Sequence, residues 1–193
     1  MTQPLLVLIG GAPATGKTML AQRLAGELAL PLFAKDAIKE RLFDTLGWSD
    51  RAWSQRIGPA AFELLFDIVE AQMRAGASCI VEGNFYRDIA TPRLLDFQRR
   101  YAFTFVQVIC VCEAETAVER FRARWEAGRR HPGHVEDTFL AAGFAEQLRE
   151  QMARGVYDPL ALDGPVLTFD TNDLTALDDA PILAAIRQAM AQS

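Results

Sequence analysis

Gly11-Ala12-Pro13-Ala14-Thr15-Gly16-Lys17-Thr18 stands directly behind the apolar run Leu5 to Ile9 and directly ahead of a helical apolar pattern that starts at Lys17. The stretch has the form G-x-x-x-x-G-K-[ST]. A buried strand that stops at glycines and passes into a helix aims successive backbone N–H groups and a helix N-terminus at one point, where they cradle polyphosphate. The expectation is a nucleoside triphosphate site. Gly11, Ala12, Pro13, Ala14, Thr15 and Gly16 form its loop, Lys17 reaches the β- and γ-phosphates, and the Thr18 hydroxyl holds Mg²⁺.

The rest of the chain repeats the strand-then-helix order. Strand candidates are Leu5 to Ile9, Leu32 and Phe33, Cys79 to Glu82, Phe103 to Cys112, and Val166 to Asp170. Helix candidates are Lys17 to Leu30, Asp36 to Leu46, Ala60 to Ala75, Pro92 to Tyr101, Thr116 to Ala127, Thr138 to Arg154 and Ala176 to Ala191. Strands joined by helices call for a mainly parallel sheet covered on both faces, an α/β fold whose ligands sit beyond the C-terminal strand ends. At 193 residues, half of them apolar, the chain is expected to be one domain, with Gly47 to Pro59 and Gly128 to Val135 as site loops.

A net charge of -5 gives no global pull toward nucleic acid or anionic membrane. Cys79, Cys110 and Cys112 all fall in apolar strand runs, which suits a reducing compartment. No export signal or bilayer-spanning run is evident, so a cytoplasmic protein without a membrane partner is expected.

The strand-end rule selects further residues. Asp36 follows the second strand in Lys35-Asp36-Ala37-Ile38-Lys39-Glu40. It is a candidate base or orienting group for a hydroxyl acceptor, or alternatively the cap of its helix. Glu82 ends the third strand ahead of Gly83. It either serves the Mg²⁺ shell, binds an acceptor hydroxyl, or pairs with a nearby base. Asn84 and Arg87 follow on the same loop as acceptor contacts, Arg87 equally as a solvated side chain.

Arg120 and Arg124 lie one helical turn apart on a shared face, and Arg129 and Arg130 follow in the next loop. Arginines that arrive with a closing lid meet the charge on a transferring phosphoryl group. The expected lid covers about residues 120–138. His131 and His134 lack the companions of a zinc site and are read as tethers of that lid. Trp48, Trp53 and Phe85 either line an acceptor pocket or pack.

Together the phosphate loop, Asp36-x-x-Lys39, Val81-Glu82-Gly83-Asn84-Phe85, Glu119-Arg120-x3-Arg124 and Arg130-His131-Pro132-Gly133-His134 resemble a known group. It is the small P-loop kinases loosely labelled AAA-type ATPases, relatives of chloramphenicol phosphotransferase, zeta toxins and the kinase domain of polynucleotide kinases. The resemblance runs from Leu5 to about Asn172. It implies a three-layer P-loop NTPase fold with a five-stranded sheet in the order 2-3-1-4-5, and ATP and Mg²⁺ as cofactors. It also implies Asp36 as acceptor base, Arg120 and Arg124 as lid arginines, and Asn172 beside the adenine. Lys39 takes the place of an arginine in the polynucleotide kinases, so a small-molecule hydroxyl is the expected acceptor and nucleic acid is not. A polynucleotide or nucleotide 5′-kinase, or a nucleotide-dependent switch without an acceptor, are the alternatives. No Asp ends a long apolar strand as in the AAA motors. A monomer or homodimer is expected.

Overall fold

The computed structural model describes residues 3–136 and 143–192. Its elements run β1 (Leu5–Gly10), α1 (Lys17–Leu28), β2 (Leu32–Ala34), α2 (Lys35–Leu46), α3 (Arg51–Ala75), β3 (Cys79–Glu82) and α4 (Arg87–Arg100). They continue with β4 (Thr104–Val111), α5 (Ala114–Glu126), a 3-10 turn (Pro132–His134), α6 (Phe144–Ala153), β5 (Val166–Asp170) and α7 (Ala180–Gln192). Five strands form one sheet in the order β2-β3-β1-β4-β5, and every pairing is parallel.

All six residues of β1 are buried because the strand has a neighbour on each side and helices on each face. Alternation of side chains across the strand divides its apolar residues between two cores. Leu5, Val7 and Ile9 pack with Leu20, Leu24, Ile80, Val108 and Ile186 under α1 and α7. Leu6 and Leu8 pack with Leu65, Val69, Val81, Leu94 and Phe97 under α3 and α4. A third cluster of Ala12, Cys112, Val118, Phe121, Phe144 and Leu148 fastens α5 and α6 beside the phosphate loop.

Register fixes the site. Ile9 is opposite Glu82 across β1 and β3, so the carboxylate leaves the sheet level with the start of the loop.

Several boundaries differ from the sequence expectation, each for a local reason. Gly47 to Pro59 is not a loop throughout: α3 begins at Arg51, with Asp50 accepting from the Trp53 N–H at 2.9 Å as its cap. Pro59 costs the helix a hydrogen bond, but it lies on the exposed side. The buried stripe Ser54, Ile57, Ala61 and Leu65 continues past it, and packing outweighs the lost bond.

Pro92 is likewise inside α4, which begins at Arg87 and buries Ala90, Leu94 and Phe97. The final helix starts at Ala180, not Ala176, because Asp173 accepts from the Thr175 N–H and Asp178 from the Ala180 N–H, both side-chain-stabilised turns. The expected helix start at Thr138 and the end of the expected lid lie outside the described residues. No described helix is long and apolar enough to cross a membrane.

Candidate functional site

The loop between β1 and α1 has the backbone that its residues permit. Gly11 has φ 133°, and a Cβ there would collide with the Cys110 carbonyl oxygen. Gly16 is left-handed at φ 81° and opens α1 without a side-chain cap. The first N–H groups of a helix have no partner within it, so this uncapped end suits an anion. Ala14 also has positive φ, 62°, a conformation that costs about 1–2 kcal/mol in an L-residue. The loop is braced from behind: the Thr15 hydroxyl donates to the Ala12 carbonyl at 2.8 Å, and the Thr171 hydroxyl to the Thr15 carbonyl at 3.0 Å. Lys17 folds across the loop and donates to the Ala12 carbonyl at 2.6 Å. Burial pushes its ammonium down from the ordinary lysine range, partly offset by Glu82.

Thr18 donates to Glu82 Oε2 at 3.3 Å. Burial pushes the Glu82 carboxyl up, against the pull of Lys17. A hydroxyl and a carboxylate side by side are oxygen ligands for a hard cation. Among the described residues no group of three or more His, Cys, Asp or Glu could hold a metal. The Thr18 and Glu82 oxygens fit Mg²⁺, which binds few protein ligands and takes the rest from phosphate and water.

Asp36 is not a helix cap. α2 begins at Lys35 with Ala34 in the capping position, and Asp36 sits in the first turn. Its Oδ1 accepts from Lys35 Nζ at 3.0 Å and its Oδ2 from Arg130 Nη2 at 2.9 Å. Burial alone would raise the carboxyl, but Lys35, Arg130 and His134 hold it far below the usual carboxylate range. Arg130 also donates to Glu136 Oε1 at 3.0 Å and lies 3.5 Å from Glu40. His134 pairs with Glu40 at 2.8 Å and His131 with Asp44 at 3.2 Å, so both histidines fasten this segment to α2. The Phe43 ring between them stacks on His131 and meets His134 edge-on. Lys39, deep in the same wall, donates to Ser54 Oγ at 2.9 Å. Burial, together with Lys35 and Arg130, pushes it down to about 8.

A cavity of about 860 Å³ collects these groups. Pro13, Ala14, Gly16, Lys17 and Thr18 line it with Asp36, Lys39, Glu82 and Asn84, and Arg120, Arg124 and Arg130 add three guanidinium groups to its walls. Arg120 donates to the Asn172 carbonyl at 2.8 Å while its buried Nη1 has no partner among the described residues. Arg124 donates to Glu136 at 3.2 Å, and its buried Nε is likewise unpartnered. Unmatched guanidinium N–H groups beside an uncapped helix end and a lysine suit a polyphosphate.

Two expected contacts fall outside the cavity lining. Arg87 is exposed at the start of α4. The Asn172 side chain is committed elsewhere: it accepts from the Glu113 N–H at 2.8 Å and donates to Asp170 at 2.9 Å. Of the three aromatics, Phe85 is buried in the core against Phe62, and neither Trp48 nor Trp53 lines the cavity. Glu136 and Glu40 join the site through Arg130 and His134, beyond the sequence expectation. Glu40 follows Asp36 by one helical turn, a spacing that could have revealed it. Glu136 carries no local signal.

A family model described as an AAA domain matches residues 6–146. A crystal structure from Chloroflexus aurantiacus J-10-fl, described as a "putative kinase", is 42% identical, with 97% of this chain and 98% of that one covered and a TM-score of 0.88. More distant structures share the fold. A gluconokinase from Sinorhizobium meliloti 1021 has 13% identity, TM-score 0.53 and coverage of 100% and 94%. A shikimate kinase from Acinetobacter baumannii in complex with shikimate has 18% identity, TM-score 0.53 and coverage of 99% and 94%. A comparison with curated proteins found no match. With its phosphate loop, its sheet order and this match across most of its length, the chain belongs to the AAA domain family, in the small P-loop kinase group.

Proposed function

We propose that this protein is a phosphotransferase that moves the γ-phosphoryl group of ATP to a hydroxyl of a small molecule. The observation that carries the reading is the placing of Asp36 in one cavity with Lys17 and Thr18, its carboxylate already oriented by Lys35 and Arg130. A switch that only binds nucleotide has no need of an oriented carboxylate beyond the second strand.

In this reading the loop amides and Lys17 hold the triphosphate, and Thr18 with Glu82 would hold Mg²⁺, whose charge offsets that of the phosphates. Asp36 accepts a hydrogen bond from the acceptor hydroxyl and directs its oxygen at the γ-phosphorus. A new O–P bond forms there as the bond to the bridging oxygen breaks, and ADP leaves. A carboxyl held this acidic orients more than it deprotonates, so the hydroxyl proton moves onto Asp36 only as the new bond forms and passes from there to water. Arg120 and Arg124 meet the charge on the moving group. The kinase description of the 42% identical relative agrees with this assignment.

Mass spectrometry of a reaction with ATP, Mg²⁺ and a panel of alcohols, sugars, nucleosides and a 5′-hydroxyl oligonucleotide tests the proposal. A small molecule heavier by one phosphoryl group is expected. Dominant end-labelling of the oligonucleotide, falling as salt rises, would replace it with a polynucleotide kinase. Hydrolysis with no acceptor of any class would leave a nucleotide switch.

A further inference from the structure

A smaller cavity of about 300 Å³ adjoins the first, and Lys35, Lys39, Gln55 and Tyr86 belong to the walls of both. Its remaining wall differs in kind. Pro59, Phe62 and Phe66 on α3 face Ile89 and Ala90 on α4. Phe66 is buried, whereas Ile89 is 68% and Tyr86 36% exposed, large apolar surfaces left in water at the mouth.

Two of the polar groups around it are already engaged. Ser54 accepts from Lys39, and Glu63 lies 3.6 Å from Arg93. Lys35 connects the two cavities, with its ammonium 3.0 Å from Asp36 Oδ1 and 5.4 Å from the centre of the Phe62 ring.

We infer that the acceptor is a hydroxylated molecule with an apolar body about the size of one ring and a short chain, its hydroxyl at Asp36 and its body between α3 and α4. The identification of this molecule as acceptor rests on the phosphotransferase reading. A hydroxyl placed beside the Lys35 and Asp36 pair carries its carbon skeleton against Phe62, and the volume is at the lower end for small-ligand sites. A polyol in the same place would set several hydroxyls against Pro59, Phe62 and Phe66 without partners, each losing its hydration uncompensated.

The test uses 2-phenylethanol as probe, with glycerol and gluconate for comparison. Saturation-transfer NMR is run on the full chain with Mg²⁺ and a non-hydrolysable ATP analogue. Gly58 borders the small cavity, and a Cβ there meets nothing within 4 Å, so Gly58→Leu fills the space without forcing the helix apart. The expected result is saturable binding of 2-phenylethanol alone, weakened about tenfold or more by Gly58→Leu, with circular dichroism reporting the fold.

Ile89→Ser, at an exposed side chain that cannot disturb the core, is expected to weaken binding several-fold and carries the test if Gly58→Leu does not fold. No binding of 2-phenylethanol, equal or tighter binding of the polyols, or indifference to the substitutions would overturn the inference. Phosphorylation of polyols alone would sink the apolar acceptor and spare the phosphotransferase. Binding of 2-phenylethanol as described, with no alcohol ever phosphorylated, would sink the phosphotransferase and spare the apolar site.

Discussion

Arg130 donates to Asp36 at 2.9 Å across 94 residues of chain, tying the segment after α5 to the start of α2 at a carboxylate that shares the cavity of the phosphate loop. The same guanidinium reaches Glu136 and Glu40, so three acids share one mostly buried cation.

Arg130→Met is therefore expected to destabilise the protein by about 1–3 kcal/mol, below the range for fully buried pairs because Asp36 and Glu40 are partly exposed. It should also lower kcat and release Asp36 toward the ordinary carboxylate range. Thermal unfolding and the acid limb of the rate profile measure both. An unchanged Tm together with an unchanged profile would show the network to be incidental.

Lys17→Ala and Thr18→Ala should each abolish turnover of Mg²⁺-ATP while the circular dichroism spectrum is retained, since both side chains line the cavity. Nucleotide-binding calorimetry on the same samples separates lost binding from lost chemistry. Wild-type binding and turnover in Lys17→Ala would remove the basis for the phosphate site.

Arg120 and Arg124 each carry a buried guanidinium N–H without a partner among the described residues. If those groups meet charge that develops only during transfer, Arg120→Ala and Arg124→Ala reduce kcat more than they weaken ATP binding. A loss confined to KM for ATP would make them ground-state binders.

Lys39 gives a pH signature. Its folded pKa of about 8 lies below the usual 10.5, so between these values the unfolded chain binds more protons and stability rises with pH. The penalty is fully present below about pH 8 and gone above 10.5. Lys39→Met has no such titration. Its stability relative to wild type, from urea unfolding, should fall as pH rises through this window. A difference that stays flat would place the Lys39 charge in a solvated environment, and one that grows would show that the fold favours the charge.

Much of this site was legible because its determinants are local. Gly11, Gly16, Lys17 and Thr18 are set by a turn that few residues can make, and Asp36 and Glu82 are placed by ending strands of a parallel sheet. What escaped reading is long-range. Nothing near Arg130 says that its partners are Asp36 and Glu136 rather than solvent. Gly58 and Pro59 read as a loop, although Ile57, Ala61 and Leu65 keep the helical stripe that packing enforces. The family resemblance puts Asn172 at a ligand position, but the structure commits its side-chain amide to the Glu113 N–H and to Asp170.

Asp36→Asn tests whether Asp36 and the phosphate loop serve one reaction. The amide keeps the size of the side chain, and Ala34 rather than Asp36 holds the capping position, so the fold should survive. With phosphorylated acceptor quantified by mass spectrometry and analogue binding by calorimetry, product formation should fall by about 10²-fold or more, the scale of a lost orientation of the reacting hydroxyl, while nucleotide affinity is nearly unchanged. Full activity of Asp36→Asn at unchanged nucleotide affinity would contradict it.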